Sequence, residues 1–309
     1  MPEDERAKAT GVMFGGQVLG ISSTTFVAGR LIARHGTEAG YLAAAAVVGC
    51  ALLFVIFIRE REGERRVPWG RGEAHPRNVS LQVEAWVPLL VNSAKAMVAP
   101  LSLMALIVFL VRSMPSGVGE AYHPGLATSI GGWEQTEYTD MISKAQFAVG
   151  VFALTVGGWL VAKIGSQRSA LGMCILICLF AIGFGLARPY WGNAALLTTY
   201  FLQMEFFATM ASVAFIPIAM RLCDPRVAAT QFTLYMAASN VGRPMGNSVA
   251  AAADGAGSPQ VMYFVVGGVF AVLALIMWFA RFPTSAPEIE DMIEAAQPVH
   301  PEEPAPTIN

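Results

Sequence analysis

Charge is what this sequence has least of. Only 14% of the 309 residues are Asp, Glu, Lys or Arg, against roughly 25% in a typical soluble domain. So few charges cannot cover a water-facing surface, which excludes a soluble globular enzyme. The net charge is −2, so the positive field that nucleic-acid binding requires is missing as well. Histidine is scarce: His35, His75, His123 and His300 all fall in predicted loops or the tail, with no HExxH pair, which removes the usual zinc-hydrolase signature. Cys50, Cys174, Cys178 and Cys223 lie in or beside apolar runs. Cys174 and Cys178 are one helical turn apart, so they read as packing residues and not as a disulfide or metal framework. No cofactor and no metal is implied. Met1 to Lys8 is polar and acidic, which is not the pattern of a signal peptide.

What is present in excess is apolar sequence, 55% of the chain with a mean hydropathy of +0.52. It is gathered into long runs separated by short charged clusters. A bilayer-crossing helix needs about 20 mostly apolar residues, and by that ruler the chain predicts an all-α polytopic membrane protein with eight transmembrane helices. They cover 11–33, 39–58, 86–111, 141–162, 169–187, 193–220, 228–252 and 260–282, and are called spans A to H. Span A carries Gly11, Gly15, Gly16 and Gly20, a small-residue stripe that lets another helix approach closely.

Lys and Arg are distributed unequally between the two sides. The side of the N-terminus holds Arg6, Lys8, the arginine run from Arg59 to Arg77, Lys163, Arg168, Arg221, Arg226 and Arg281, against Arg30, Arg34, Arg112 and Arg188 on the other. By the positive-inside rule both termini are expected in the cytoplasm. The domain organisation that follows is a pair of helices (1–58), an Arg-rich cytoplasmic linker broken by Pro68, Gly70 and Pro76 (59–85), a six-helix bundle (86–282) and a disordered acidic tail (283–309). Segment 112–140, rich in Gly and Pro, is expected as an outer loop, with Thr136 or Thr139 capping span D. Asn78-Val-Ser80 matches a glycosylation pattern, but on the cytoplasmic side it has no such use.

Ionisable residues inside a span are functional candidates because burying them in lipid costs several kcal/mol. Spans B and E have none, and H has none before Arg281 at its end, which suits a lipid-facing periphery. C has Lys95, D has Lys144, F has Glu205 with Gln203, and G has Gln231, Asn240, Arg243 and Asn247. Lys95 and Glu205 are expected about 14 and 18 Å into their helices, both near the middle of a ~30 Å core, where they can pair across a cavity. Lys144 follows Asp140 at i, i+4 and reads as a structural pair. Asn240, Arg243 and Asn247 share one face of G, beside a Pro244 expected to kink the helix. A guanidinium there suits an anionic group.

The pattern resembles the major facilitator superfamily of secondary transporters. ERAKATGVMFGGQVLGISSTTFVAGRLI resembles its fifth helix, B the sixth, 59–85 the central cytoplasmic loop, and C to H helices seven to twelve. GWLVAKIGSQR resembles the family's Gly-x-Leu-x-Asp-Arg-x-Gly loop: Gly158, Leu160, Lys163, Gly165 and Arg168 fit, while Ala162 stands where Asp is usual. Residues 227–246 and 132–150 resemble the branch with the bacterial muropeptide permease and the acetyl-CoA transporter. The resemblance implies a fold of helices 5–12, with cavity-lining helices including C and F and peripheral ones including B, E and H. Four helices of the twelve have no counterpart here, so a longer protein or a partner chain is implied as their source.

The function so implied is secondary active solute transport across the cytoplasmic membrane, proton-coupled, for a muropeptide-like or other anionic or polar solute. Glu205 is the candidate coupling carboxylate. Lys95, Gln203, Asn240, Arg243 and Asn247 are candidate solute contacts, and Gly158, Lys163, Gly165 and Arg168 a gating loop. Partners are the bilayer, a small solute and a proton or other ion. Two alternatives stay open: a non-transporting scaffold or sensor, and an intramembrane enzyme, although no nucleophile with an adjacent base is visible.

Overall fold

The computed structural model describes residues 3–57, 72, 91, 94–95, 97–223, 227–280 and 282. The linker, apart from Gly72, the tail, and Asn78 lie outside the described residues. Ten α-helices and no strand occur among the described residues. They are α1 (Glu3–His35), α2 (Thr37–Phe57), α3 (Pro100–Arg112), α4 (Met114–Ser129), α5 (Gln135–Phe152), α6 (Gly158–Ile164), α7 (Ser166–Leu186), α8 (Ala194–Leu222), α9 (Ala228–Gly255) and α10 (Gln260–Phe279). A π-helical turn, Ala153–Gly157, joins α5 to α6. Among the described residues seven stretches are long and apolar enough to cross a membrane, two of them the composites Pro100–Ser129 and Gln135–Ile164. The eighth helix, α9, has the length but is too rich in Asn, Ser and Gln to qualify by hydropathy.

The third span differs from the sequence expectation. Segment 112–140 is mostly helix, with α4 continuing α3 after Ser113 and α5 beginning at Gln135. Its prolines do not break it for a positional reason. Pro115 sits in the first turn of α4, where there is no intrahelical N–H bond to lose. Pro124 lies inside α4, and a span tolerates it because neighbouring helices re-satisfy the backbone. Among the described residues the third span runs Pro100–Ser129, well past residue 111 where the expected span ended. Arg112 is inside it, and Lys95 is exposed and precedes it.

Each helix end has a local cause. Glu134, not Thr136 or Thr139, starts α5: its side chain accepts a bond from the N3 backbone while Glu137 accepts from the Glu134 N–H at 2.9 Å, a capping box. Asn193 starts α8 by accepting from the N–H groups of Ala195 and Leu196 at 2.9 and 3.3 Å. Gly165, at φ +94°, turns the chain between α6 and α7 in a conformation that favours glycine.

The core gathers around α8, which buries Leu197, Phe201, Val213, Ala214, Phe215 and Ile216 almost completely. At one end aromatic rings close it: Phe184 stacks on Tyr200 at 3.7 Å and on Trp191 at 5.2 Å. Helices α2, α7 and α10, charged only at Glu38 and Arg168 in their first turns, lie at the edge. Phe54, Leu179, Trp278 and Phe279 stand 68%, 60%, 69% and 76% exposed, apolar surface of the kind a lipid solvent accommodates. All four cysteines are free thiols.

Helix α1 crosses α5, the π turn and α6 at contact distance. A Cβ on Gly11 would meet the Gly158 backbone at 2.8 Å, and one on Gly15 would meet Leu154 at 2.5 Å. Gly16 and Gly20 face open space, so only half of the stripe is a packing surface. At the other end of the crossing, Ser22 Oγ donates to the Ser143 carbonyl at 2.7 Å, and Arg30 pairs with Asp140 at 3.4 Å. Asp140 thus turns to α1 and not to Lys144.

Candidate functional site

The polar site is built where α9 crosses the third span. Three glycines set the crossing: Gly242 lies against the Leu110 carbonyl, Gly246 against that of Met114, and Gly117 against that of Arg243, each too close to admit a Cβ. Backbones this near allow short side chains to bond directly across. Ser113 and Ser239 share a hydrogen bond at 2.8 Å. With its amide nitrogen turned to the carbonyls, Asn247 donates to Gly117 at 2.6 Å and to Arg243 at 3.3 Å.

The charged groups stand along this seam. Arg243 Nη1 pairs with Glu120 Oε1 at 3.1 Å, the two side chains 47% and 52% exposed. Arg112 Nη1 donates to Ser212 Oγ of α8 at 2.9 Å, and its guanidinium lies over the Phe109 ring at 5.0 Å. Its Nε is buried with no hydrogen-bond partner among the described residues. Arg112 and Arg243 are near enough to repel each other. Glu205 accepts from Gln146 Nε2 of α5 at 3.3 Å, and the charges of Glu120 and Arg243 both reach it. Counting from Ala194, Glu205 is about 17 Å along α8. Arg112 is about 18 Å along Pro100–Ser129, and Arg243 about 22 Å along α9. All sit at mid-depth.

The structure brings some of the expected residues together and separates others. Arg243, Asn247 and Glu205 belong to one polar region, and Asn240 shares the exposed face of α9 with the first two. Lys95 does not reach Glu205. The lysine lies outside the span, and the cation acting on Glu205 is Arg243. Gln203 is two residues from Glu205, or about 200° around the helix, so it points elsewhere, with Oε1 buried and unbonded among the described residues. The loop residues divide by role. Gly158 packs against the Ala7 carbonyl and Lys8 of α1, Gly165 makes the turn, Lys163 lies over Trp159 at 5.1 Å, and Arg168 lines a cavity between helices.

Arg112 entered the sequence analysis only as an outer-side charge, and Glu120, Gln146 and Ser212 are absent from it. The first two were concealed by taking 112–140 for a loop. The available signal was the position of Pro115, immediately after Arg112-Ser113-Met114, where a proline opens a helix as readily as it ends one. No group of three or more His, Cys, Asp or Glu able to hold a metal occurs among the described residues. The arrangement has no nucleophile with an adjacent base. It offers two guanidiniums, two carboxylates, amides and hydroxyls at mid-depth, which is equipment for recognising a polar or charged solute.

Residues 1–247 match the model of the Major Facilitator Superfamily. The chain belongs to the Major Facilitator Superfamily. No curated protein matches it. Members of this superfamily are membrane solute transporters and not enzymes, and this chain is accordingly a multi-pass membrane protein of solute transport.

Proposed function

We propose that this chain is part of a proton-coupled secondary transporter of the cytoplasmic membrane that carries an anionic or polar solute, muropeptide-like in class. In this reading α1 and α2 are helices five and six of a twelve-helix unit. The exposed face of α9, with Asn240, Arg243 and Asn247, is where the remaining helices enclose the cavity. Both termini face the cytoplasm. Placing Arg112 inside a span leaves only Arg30, Arg34 and Arg188 on the outer side, which sharpens the positive-inside bias.

The observation that supports coupling is Glu205 at mid-depth, held by Gln146 and within reach of the Arg243–Glu120 pair. A carboxylate so placed changes its proton affinity when the neighbouring cation is taken by a solute anion. Asn247 fixes the backbone beside Arg243, leaving the guanidinium to exchange Glu120 for the solute. In proteoliposomes of the complete transport unit, Glu205→Gln is expected to abolish uptake of a labelled sugar–peptide driven by a pH gradient and to preserve counterflow exchange. Gradient-driven uptake by Glu205→Gln at the wild-type rate would remove Glu205 as the coupling group.

A further inference from the structure

Arg112 carries a charge at mid-depth that no carboxylate among the described residues balances. The ion pairs there are Arg30–Asp140 and Arg243–Glu120, and Arg112 enters neither. Its one hydrogen bond runs from Nη1 to a neutral acceptor, Ser212 Oγ, at 2.9 Å. That hydroxyl gives its own proton to the Ala208 carbonyl at 3.0 Å, so it orients the guanidinium without neutralising it. The charge that acts on Arg112 is that of Arg243, a second cation. An unpaired ion away from water is costly, and Arg112 has no way out. Ser113, beside it, bonds Ser239 at 2.8 Å, and the Leu110 carbonyl lies against Gly242, so the helix around it is locked to α9.

The fork is held so that one edge remains. Phe109 lies under the guanidinium at 5.0 Å and covers a face of it. Nη1 is taken by Ser212. Nε is buried with no partner, and Nη2 has none among the described residues. Nε–H and the N–H of Nη2 beside it point the same way, the spacing that two oxygens of one planar anion accept side by side. The neighbouring Arg243 indicates which anion fits, because its own partner is the carboxylate of Glu120 at 3.1 Å. A solute carboxylate replaces Glu120 like for like. A phosphate dianion would instead bring a second negative charge close to Glu120 and Glu205, which already sense each other.

We propose that Arg112 selects the solute for a carboxylate, which it receives on its Nε–Nη2 edge while Arg243, released from Glu120, closes on the same group. Ser212 is the positioning residue that fixes the fork. The inference rests on the reading of this seam as the solute site and adds to it the residue that recognises the anion and the class of anion recognised.

The test is equilibrium binding to the complete transport unit in micelles. Two labelled probes are compared, a sugar–peptide whose only carboxylate is C-terminal and the same molecule ending in a carboxamide. The wild type is expected to bind the acid roughly tenfold to a hundredfold more tightly, the range for a hydrogen bond to a charged group. Arg112→Gln should bring the acid down to the level of the amide and leave the amide unchanged. Arg112→Lys, which keeps the charge but lacks the fork, should lose most of the preference. A second measurement needs no solute: sodium acetate, against sodium chloride at equal ionic strength, should raise the melting midpoint of the wild type and not that of Arg112→Gln. Retention of the acid preference by Arg112→Gln overturns the inference and leaves transport coupled through Glu205 standing. An equal response of the two proteins to acetate overturns it as well, and a sugar phosphate bound more tightly than the acid overturns the choice of carboxylate. A wild type that binds neither probe, yet responds to acetate through Arg112, overturns the sugar–peptide reading of the function and supports the anion site.

Discussion

Replacing Gly11 by alanine tests whether α1 is held against the π turn and α6 by backbone contact. The added Cβ would stand 2.8 Å from both Cα and N of Gly158 and 2.9 Å from the Ala153 carbonyl. Carbon atoms in ordinary contact sit about 3.5–4.0 Å apart, so α1 must retreat by roughly 0.7 Å along the crossing. The opposing atoms are main chain and cannot swing aside. Overpacking of this kind costs about 1–3 kcal/mol. Gly16→Ala provides the comparison, because nothing lies within 4 Å of the new methyl and the helix gains up to about 1 kcal/mol of propensity. Thermal unfolding in detergent micelles, followed by tryptophan fluorescence with the 2%-exposed Trp191 as a core reporter, reads the difference. At about 2–4 °C per kcal/mol, Gly11→Ala should melt several degrees below Gly16→Ala. Coincident midpoints for the two variants would refute the packing argument.

Two further outcomes are expected. The Arg243–Glu120 pair is half-exposed, so a double-mutant cycle of Arg243→Ala and Glu120→Gln should give a coupling below about 1 kcal/mol in stability, while Arg243→Ala eliminates solute uptake and Arg243→Lys does not restore it, a lysine lacking the planar fork. A coupling of several kcal/mol would make the pair architectural. Asn193→Ala removes the side-chain acceptor for two N–H groups at the start of α8 and should cost about 1 kcal/mol, visible as a lower melting midpoint with unchanged helix content; an unchanged midpoint would show the cap to be dispensable.

Much of the fold was legible in the sequence because lipid imposes a simple rule. A spanning segment must satisfy its own backbone, so long apolar runs become helices. Thr37–Phe57, Ser166–Leu186 and Gln260–Phe279 accordingly fall within a few residues of the expected spans, and the lack of charge along their length beyond the first turn placed them at the periphery. Glu205, Arg243 and Asn247 were legible as candidates for the complementary reason that polar groups in lipid are costly. The misplacement of 112–129 came from the same rule taken too far. Gly and Pro signal turns in water, but within a span a proline near the helix start costs no hydrogen bond, and glycine is selected by the neighbour it touches.

That neighbour belongs to the tertiary structure. Gly11 and Gly16 are the same residue on the same helix, and only the position of α6 makes one a contact and the other open space. Glu205 was recognisable as a buried carboxylate, but its company of Gln146, Glu120 and Arg243 was not, because three helices distant in the chain meet it at one depth. Composition and hydropathy determined that the chain is a bundle of membrane helices and which of them are polar. The glycine crossings decided which polar groups face one another, since the distance between two backbones is a property of both helices and is written in neither alone.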